Sequence, residues 1–361
     1  VAGIYGLPQG ANAPFLDPTP LTQAPNDWTM LVTVIGGGLS QSNGLAIDGD
    51  GSIWVTNPIS DAGINAGKGS ISAFLNNGVQ VTGAPFVVTG LGAPLALNIG
   101  ADNHVWVLDS TSNHNRGSLY ELSGSGSLLA THTTGFNGAS LMSFGPAGTT
   151  LWVVNGNRAL ARLNSGNSYA ISASNSTVLP GSESPAGLTI DGKDQAWTVL
   201  YFANEVVALD DTGTQLSGSP FSGSVFRPIS LAVSSGDNVW IADQQGNQVT
   251  ELGADGTPSP GSPFGAASFN GFATDSLAID GGGRVWVVNG DGSVGVLNGD
   301  GTAASAVAYG AGQNMGQPAG VAIDSSGSVW EVSNSGTGTL SKFIGLAAPV
   351  KTPLLGPATL P

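Results

Sequence analysis

The side chains able to do chemistry are few and scattered. The chain has no Cys and only three His, at positions 104, 114 and 132. Without a thiol, disulfides and thiolate metal sites are excluded. There is no nucleophile elbow, and the three His are not grouped with a candidate nucleophile, so acyl-transfer arrangements have no support. Glycine-rich runs at 36–38 and 281–283 lack the Lys-Ser/Thr and following helix of a phosphate loop. What remains is oxygen chemistry, in which carboxylates and amides hold a cation or a polar ligand.

Asn57, Asp109, Asn155, Asp243 and Asn289 each stand three residues after a tryptophan. Gathered on one rim of a ring, they would offer two carboxylates and three amides to a cation or polar ligand on the axis. The competing reading is capping of the following turn, which Asn and Asp do well, and capping is the expectation. The DGDG segment at 48–51 and the NGDG segments at 289–292 and 298–301 look superficially like calcium loops. A full loop needs more donors and a terminal Glu, so these are expected to be hairpin turns. No cofactor is expected, and a structural cation such as calcium would lack a complete motif. Two longer loops, 57–69 and 109–117, bring Asp61, Lys68, Asp109, His114 and Arg116 onto adjacent repeats. Long loops on a rigid scaffold are a usual place for recognition, here of a carbohydrate, peptide or cell-wall fragment.

The elements that must position these residues come from a repeat. One segment recurs seven times, as in GLAIDGDGSIWVTN (44–57), SLAIDGGGRVWVVN (276–289) and GVAIDSSGSVWEVS (320–333). Its tryptophans are Trp54, Trp106, Trp152, Trp197, Trp240, Trp286 and Trp330, at intervals of 43–52 residues. Within each copy an apolar strand ends in an Asp/Gly/Ser/Asn turn, and a second strand carries the Trp between β-branched neighbours. A third strand follows, such as SISAFL (70–75) or QVTELG (248–253), then another turn and a weaker fourth strand. Four antiparallel strands in about 45 residues make one propeller blade. A lone blade cannot bury both faces, so blades stack in a ring with the tryptophans between them. The expected fold is all-β, a seven-bladed β-propeller over 28–345. Residues 28–37 precede the first copy where the others have a fourth strand, so this strand is expected to complete the last blade.

Composition agrees. Glycine is abundant at 56 residues, charged residues make up 9% and hydrophobic ones 40%, which suits a turn-rich β protein and not a disordered one. A net charge of −15 with nine Lys and Arg makes nucleic acid a poor partner. No run approaches the length of a membrane-spanning helix. Val1 in place of Met is the expectation for a mature exported chain whose leader has been removed, or for a trimmed one.

The pattern A-I-D-x-x-G-x-V-W-V-x-N resembles NHL-type repeats and, more closely, the hairpins of the virginiamycin B lyase family of seven-bladed propellers. The resemblance covers 28–345, and FIGLAAPVKTPLL (343–355) looks like the end of exported bacterial repeat proteins. In that family the chemistry is placed by rim His and Glu residues in P-H-G-I and W-F-T-E segments. Here SPAGLTID (184–191) and QPAGVAID (317–324) put Ala186 and Ala319 where such a His falls, and no F-T-E follows the tryptophans. The resemblance therefore implies the fold without the lyase residues, and a non-catalytic protein is expected.

Residues 1–27 and 346–361 hold nine of the 21 prolines. Such segments favour extended conformations and avoid central strands. They are read as an N-terminal arm and a C-terminal tail around the propeller. On that reading the protein is an extracellular structural or adhesive subunit whose expected partners are copies of itself, bound through the arms. The alternative is a monomeric secreted binding module using the long-loop rim, and a lyase-like enzyme ranks third.

Overall fold

The computed structural model describes residues 30–58, 68–110, 117–156, 158–181, 184–269, 274–313, 315–334 and 338–355. Seven antiparallel sheets form seven blades around an axis. Their innermost strands are Leu45–Ile47, Pro94–Ile99, Leu141–Phe144, Gly187–Ile190, Pro228–Val233, Thr274–Ile279 and Pro318–Ile323, which number the blades 1 to 7. The second strands, from Ile53–Asn57 to Val329–Ser333, carry the tryptophans. Blades 2 to 5 have a fourth strand of their own. In blades 1 and 6 that place is held by isolated bridges, including Ile71↔Phe86 and Val294↔Tyr309.

The ring closes as the sequence predicts. Leu31–Ile35 pairs with Thr339–Phe343 as the outermost strand of blade 7, from Leu31↔Phe343 to Ile35↔Thr339. One chain end thus supplies a strand to a blade built by the other, which ties the two ends of the ring together.

The hairpin motif has a local logic visible in four blades. Asp48 accepts from the backbone N–H groups of Asp50 and Ser52 through Oδ1, and from Trp54 Nε1 through Oδ2 at 2.8 Å. Asp191, Asp280 and Asp324 hold Trp197, Trp286 and Trp330 in the same way, at 2.9–3.0 Å. A buried indole N–H needs an acceptor, and the turn aspartate supplies it while closing the hairpin. The DGDG segment at 48–51 is therefore a turn, as expected.

The seven tryptophans are at most 2% exposed, and they pack against the next blade. Trp197 lies with Leu231, Val233 and Ile241 of blade 5, and Trp330 with Ile47, Ile53 and Val55 of blade 1. An aromatic ring from the outer part of the same blade completes several of these contacts. Phe86, Phe221, Phe264 and Tyr309 lie 5.6–5.9 Å from Trp54, Trp197, Trp240 and Trp286. Three of these rings then rest on a turn glycine of the following blade, at Gly126, Gly256 and Gly301, where a Cβ would come within 2.2–2.3 Å of the ring. In blade 3 the equivalent residue is Thr177, across from Leu160. The space beside Trp152 there is a cavity of about 220 Å³ lined by Arg162, Asn164, Asn175 and Asp211, among others.

Residues 346–355, read from sequence as the start of a proline-rich tail, pack on their own ring. Ala347, Val350 and Leu355 are at most 9% exposed. Ala348 donates its N–H to Asp280 Oδ2 at 2.9 Å, and Arg284 Nη2 donates to the carbonyl of Leu346 at 3.0 Å. Prolines bar this segment from a central strand, yet its apolar residues find a partner in the mouth of the ring. Residues 1–27 and 356–361 lie outside the described residues.

Candidate functional site

Antiparallel order gives the ring two distinct rims. One carries the turns between first and second strands. The other carries the connectors between blades and the turns between second and third strands. The tail covers the first rim, passing Asp280 of blade 6, Asp324 of blade 7 and Gly49 of blade 1 before Leu355 reaches Gly148 of blade 3. Val350, Thr352, Pro353 and Leu354 thereby form one wall of an axial cavity of about 220 Å³. Its other walls are the seven inner strands, with Ile47, Ile99, Ile190, Val233, Ile279 and Ile323 among the lining. Asn98, Ser143 and Thr189 are the polar exceptions from those strands, and among the described residues no carboxylate lines it. Such a lining favours apolar contents over charged ones.

The five polar residues after the tryptophans act as caps, the role expected over that of an axial ligand site. None lines the axial cavity. Each instead ties down the connector that enters its own blade. Asn57 Oδ1 accepts from Ser40 N–H at 3.1 Å and from Ser42 Oγ at 2.7 Å. Asp109 accepts from the N–H groups of Gly92 and Ala93 at 2.7 and 2.9 Å. Asn155 Oδ1 accepts from Asn137 N–H at 2.7 Å, and its Nδ2 donates to the carbonyl of Gly135 at 3.0 Å. Asn289 Nδ2 donates to the carbonyl of Ser268 at 2.9 Å and to Ser293 Oγ at 2.9 Å. These are caps, but of the preceding connector more than of the following turn. The second strand ends beside the incoming chain, so the nearest unpaired backbone groups are there.

Asp243 is a fully buried member of the set. It accepts from Phe226 N–H at 3.0 Å and from Thr250 Oγ1 at 2.6 Å. Burial pushes its pKa up to about 7, against the pull of those two hydrogen bonds. Of the long-loop residues, Lys68 is exposed where it joins the third strand of blade 1. Asp61, His114 and Arg116 lie outside the described residues.

The second rim carries a group that composition and motifs did not single out. Tyr201 and Phe202 occupy the turn between second and third strands of blade 4, their rings 4.8 Å apart and edge to face. Phe202 is 76% exposed, and Phe226, on the neighbouring connector, is 42% exposed. Arg227 lies 5.7 Å from the Tyr201 ring centre, and Tyr201 donates its hydroxyl to Gln244 Oε1. Arg227 and Asn204 both adopt positive φ, at 50° and 56°, and Asn204 Oδ1 accepts from Arg227 N–H at 2.7 Å. Such backbone conformations in non-glycine residues are held by their surroundings. The signal available in sequence was a pair of adjacent aromatics, Tyr201 and Phe202, in a turn where blades 1, 2, 3, 5 and 6 begin with Asn or Asp.

Where the lyase resemblance looks for histidine, the two alanines are packed into apolar surroundings. Ala186 joins the cluster around Trp197, and Ala319 the cluster around Trp330.

Fold and rims together define a seven-bladed β-propeller with an apolar axis covered at one mouth. No family model and no curated protein matches the chain. Solved structures do. A streptogramin B lyase is 17% identical with a TM-score of 0.65, over 87% of this chain and 97% of its own. Virginiamycin B lyase from Staphylococcus aureus is 15% identical with a TM-score of 0.64, over 88% of this chain and 99% of its own. A catalytically inactive form of that lyase, solved with quinupristin, gives 16% identity and the same TM-score and coverage. At these identities the likeness is one of fold.

Proposed function

We propose that the protein is a non-catalytic recognition module, secreted or displayed outside the cell, whose ligand face is the rim opposite the tail. The observation that carries this reading is the pair of exposed rings, Phe202 and Phe226, on half-buried Tyr201, with Gln244 and Asn204 beside them. Soluble proteins keep large apolar side chains out of water, and aromatics fixed on a rigid rim commonly mark a binding face. Flat rings beside amide and hydroxyl groups suit the C–H faces and hydroxyls of a neutral glycan. The small proportion of charged residues in the chain agrees with a ligand recognised by stacking and neutral hydrogen bonds. Sedimentation with insoluble glycans (chitin, xylan, cellulose and peptidoglycan) tests it. Phe202→Ala with Phe226→Ala should reduce capture at least about tenfold, in line with the loss of two interfacial aromatics. Unchanged capture, or none of these glycans captured by the native chain, overturns the reading.

Self-association is the second reading. The outermost strand of blade 7 offers an unpaired edge that ends in Ile35, 72% exposed, and the outer strand of blade 3 ends in Val178, 67% exposed. Apolar edges of this kind invite strand addition by another copy. Sedimentation velocity of the full chain distinguishes the two, because a monomer at high concentration removes the self-association reading alone.

A further inference from the structure

The seam between blades 7 and 1 carries a lysine where sibling blades carry small apolar residues. Across from the second-strand tryptophan, the third strand has Ala73, Ala208 and Val296 in blades 1, 4 and 6, and Lys342 in blade 7. Residues directly opposite on paired strands share a face, and Trp330 packs toward blade 1, so Lys342 faces blade 1 as well. Its Nζ lies 4.8 Å from the centre of the Trp330 ring, and the residue is 9% exposed. A lysine this far out of water needs partners for its charge.

Those partners come from both sides of the seam. In blade 1, Asn76 accepts from Lys342 Nζ through its backbone carbonyl at 2.8 Å and through Oδ1 at 2.5 Å. A C=O bond is about 1.23 Å long, so the carboxamide carbon of Asn76 lies within about 3.7 Å of Nζ. That is close to a near-attack separation. In blade 7, Asp324 is buried, and its Oδ2 stands 3.8 Å from Nζ. The same oxygen accepts from Asn76 Nδ2 at 2.8 Å. An amine, an amide carbon, the nitrogen that would leave it and a carboxylate therefore meet in one place. Burial lowers the pKa of Lys342, against the pull of Asp324, and so favours the neutral amine. In Asp324 the effect of burial is outweighed by hydrogen bonds from Ser326, Trp330, Ser328 and Asn76, which hold its pKa below the ordinary value and keep it ionised.

We propose that Lys342 and Asn76 join in an intramolecular isopeptide bond, with Asp324 as the catalytic acid and base. Lys342 starts as an ammonium and passes one proton to the Asp324 carboxylate. The freed lone pair of Nζ attacks Asn76 Cγ, which forms the new N–C bond and a tetrahedral carbon. Asp324 gives its proton to Asn76 Nδ2, the Cγ–Nδ2 bond breaks, and ammonia leaves. The second proton lost by Nζ passes through Asp324 to that ammonia. One ammonium is consumed and one is released, and Asp324 ends as the carboxylate it was. The step balances without an oxidant or a second substrate. The bond links positions 266 residues apart and clamps blade 7 to blade 1 covalently. It is a single event inside the chain, separate from the aromatic rim, so neither reading depends on the other.

Intact-mass spectrometry of the full-length protein tests the bond. The native chain should weigh about 17 Da less than its sequence, the mass of one ammonia. Digestion should release a branched peptide that joins the segments holding Asn76 and Lys342. Asn76→Ala, in a half-buried turn, should fold and show the full sequence mass, as should Lys342→Arg. Asp324→Asn keeps an acceptor for Trp330 but cannot carry a proton, and should slow bond formation at least about a hundredfold. Asn77 precedes Gly78, and an Asn-Gly step can also lose ammonia by forming a succinimide. Asn77→Ala should therefore keep the deficit. A native chain of full sequence mass overturns the proposal. So does a deficit that survives in Asn76→Ala or vanishes in Asn77→Ala, and a native rate in Asp324→Asn overturns the part given to Asp324.

Discussion

Glu331 follows Trp330 at the place where the other blades carry Val55, Val107, Val153, Thr198, Ile241 and Val287. It is 0% exposed, across from Val321 and Ser341. Both carboxyl oxygens are buried without a hydrogen-bond partner among the described residues, and Ser341 Oγ, which faces them, falls short of bonding geometry. Burial therefore dominates and pushes the carboxyl from its ordinary 4.5 up to about 8, with Ser341 opposing. A folded pKa above the unfolded one means that the stability contribution is complete below pH 4.5 and is lost as pH rises through about 8. At about 1.4 kcal/mol per pH unit, ionised Glu331 costs at most roughly 5 kcal/mol above that window. Urea unfolding of the native chain and of Glu331→Gln, at pH 5 and pH 9, isolates this group because the rest of the titration cancels in the difference. The native chain should lose several kcal/mol more than the variant between the two pH values. Glu331→Val, the sibling residue, should be the most stable of the three at pH 9. A native-to-Gln difference constant within about 1 kcal/mol refutes the reasoning.

Asp48→Ala strands Trp54 Nε1 and two turn N–H groups and should destabilise by about 2–4 kcal/mol, measured by chemical unfolding. Gly256→Ala sets a methyl against the Phe221 ring at positive φ, and should lower stability by about 1–3 kcal/mol. Asp243 contributes stability that is complete below its unfolded pKa and is lost as pH rises through about 7, and in Asp243→Asn that fall should be absent from the unfolding profile. Removal of residues 346–361 uncovers the axial mouth and should lower the melting temperature and raise binding of an apolar dye.

The ring was legible because its signals repeat. Seven Trp hairpins, their Asp-Gly turns and the orphan strand before the first copy pointed to blade number and closure, and Leu31–Ile35 does pair with Thr339–Phe343 in the last blade. The site was legible only in part. Asn57, Asp109, Asn155, Asp243 and Asn289 are spaced as a rim, but spacing does not tell which backbone groups lie within reach. That depends on the path of the connectors, which varies from blade to blade. Tyr201 and Phe202 interrupt the repeat in a turn. The packing of Ala347, Val350 and Leu355 was hidden by the prolines among them, since a segment without strand pairing leaves no periodic trace.

The pairing of Leu31–Ile35 with Thr339–Phe343 also sets a timetable. On the ribosome the first strand emerges more than 300 residues before its partner. At roughly 5–20 residues per second it waits for some tens of seconds with an apolar edge exposed. Thr33 in the middle of Leu-Val-Thr-Val-Ile is the single polar interruption in that strand. During synthesis six blades can stack in order, but the seventh cannot exist until both ends of the pairing are present. The last step of folding is thus a search between distant parts of one chain, and a neighbouring nascent copy can compete for the same vacancy.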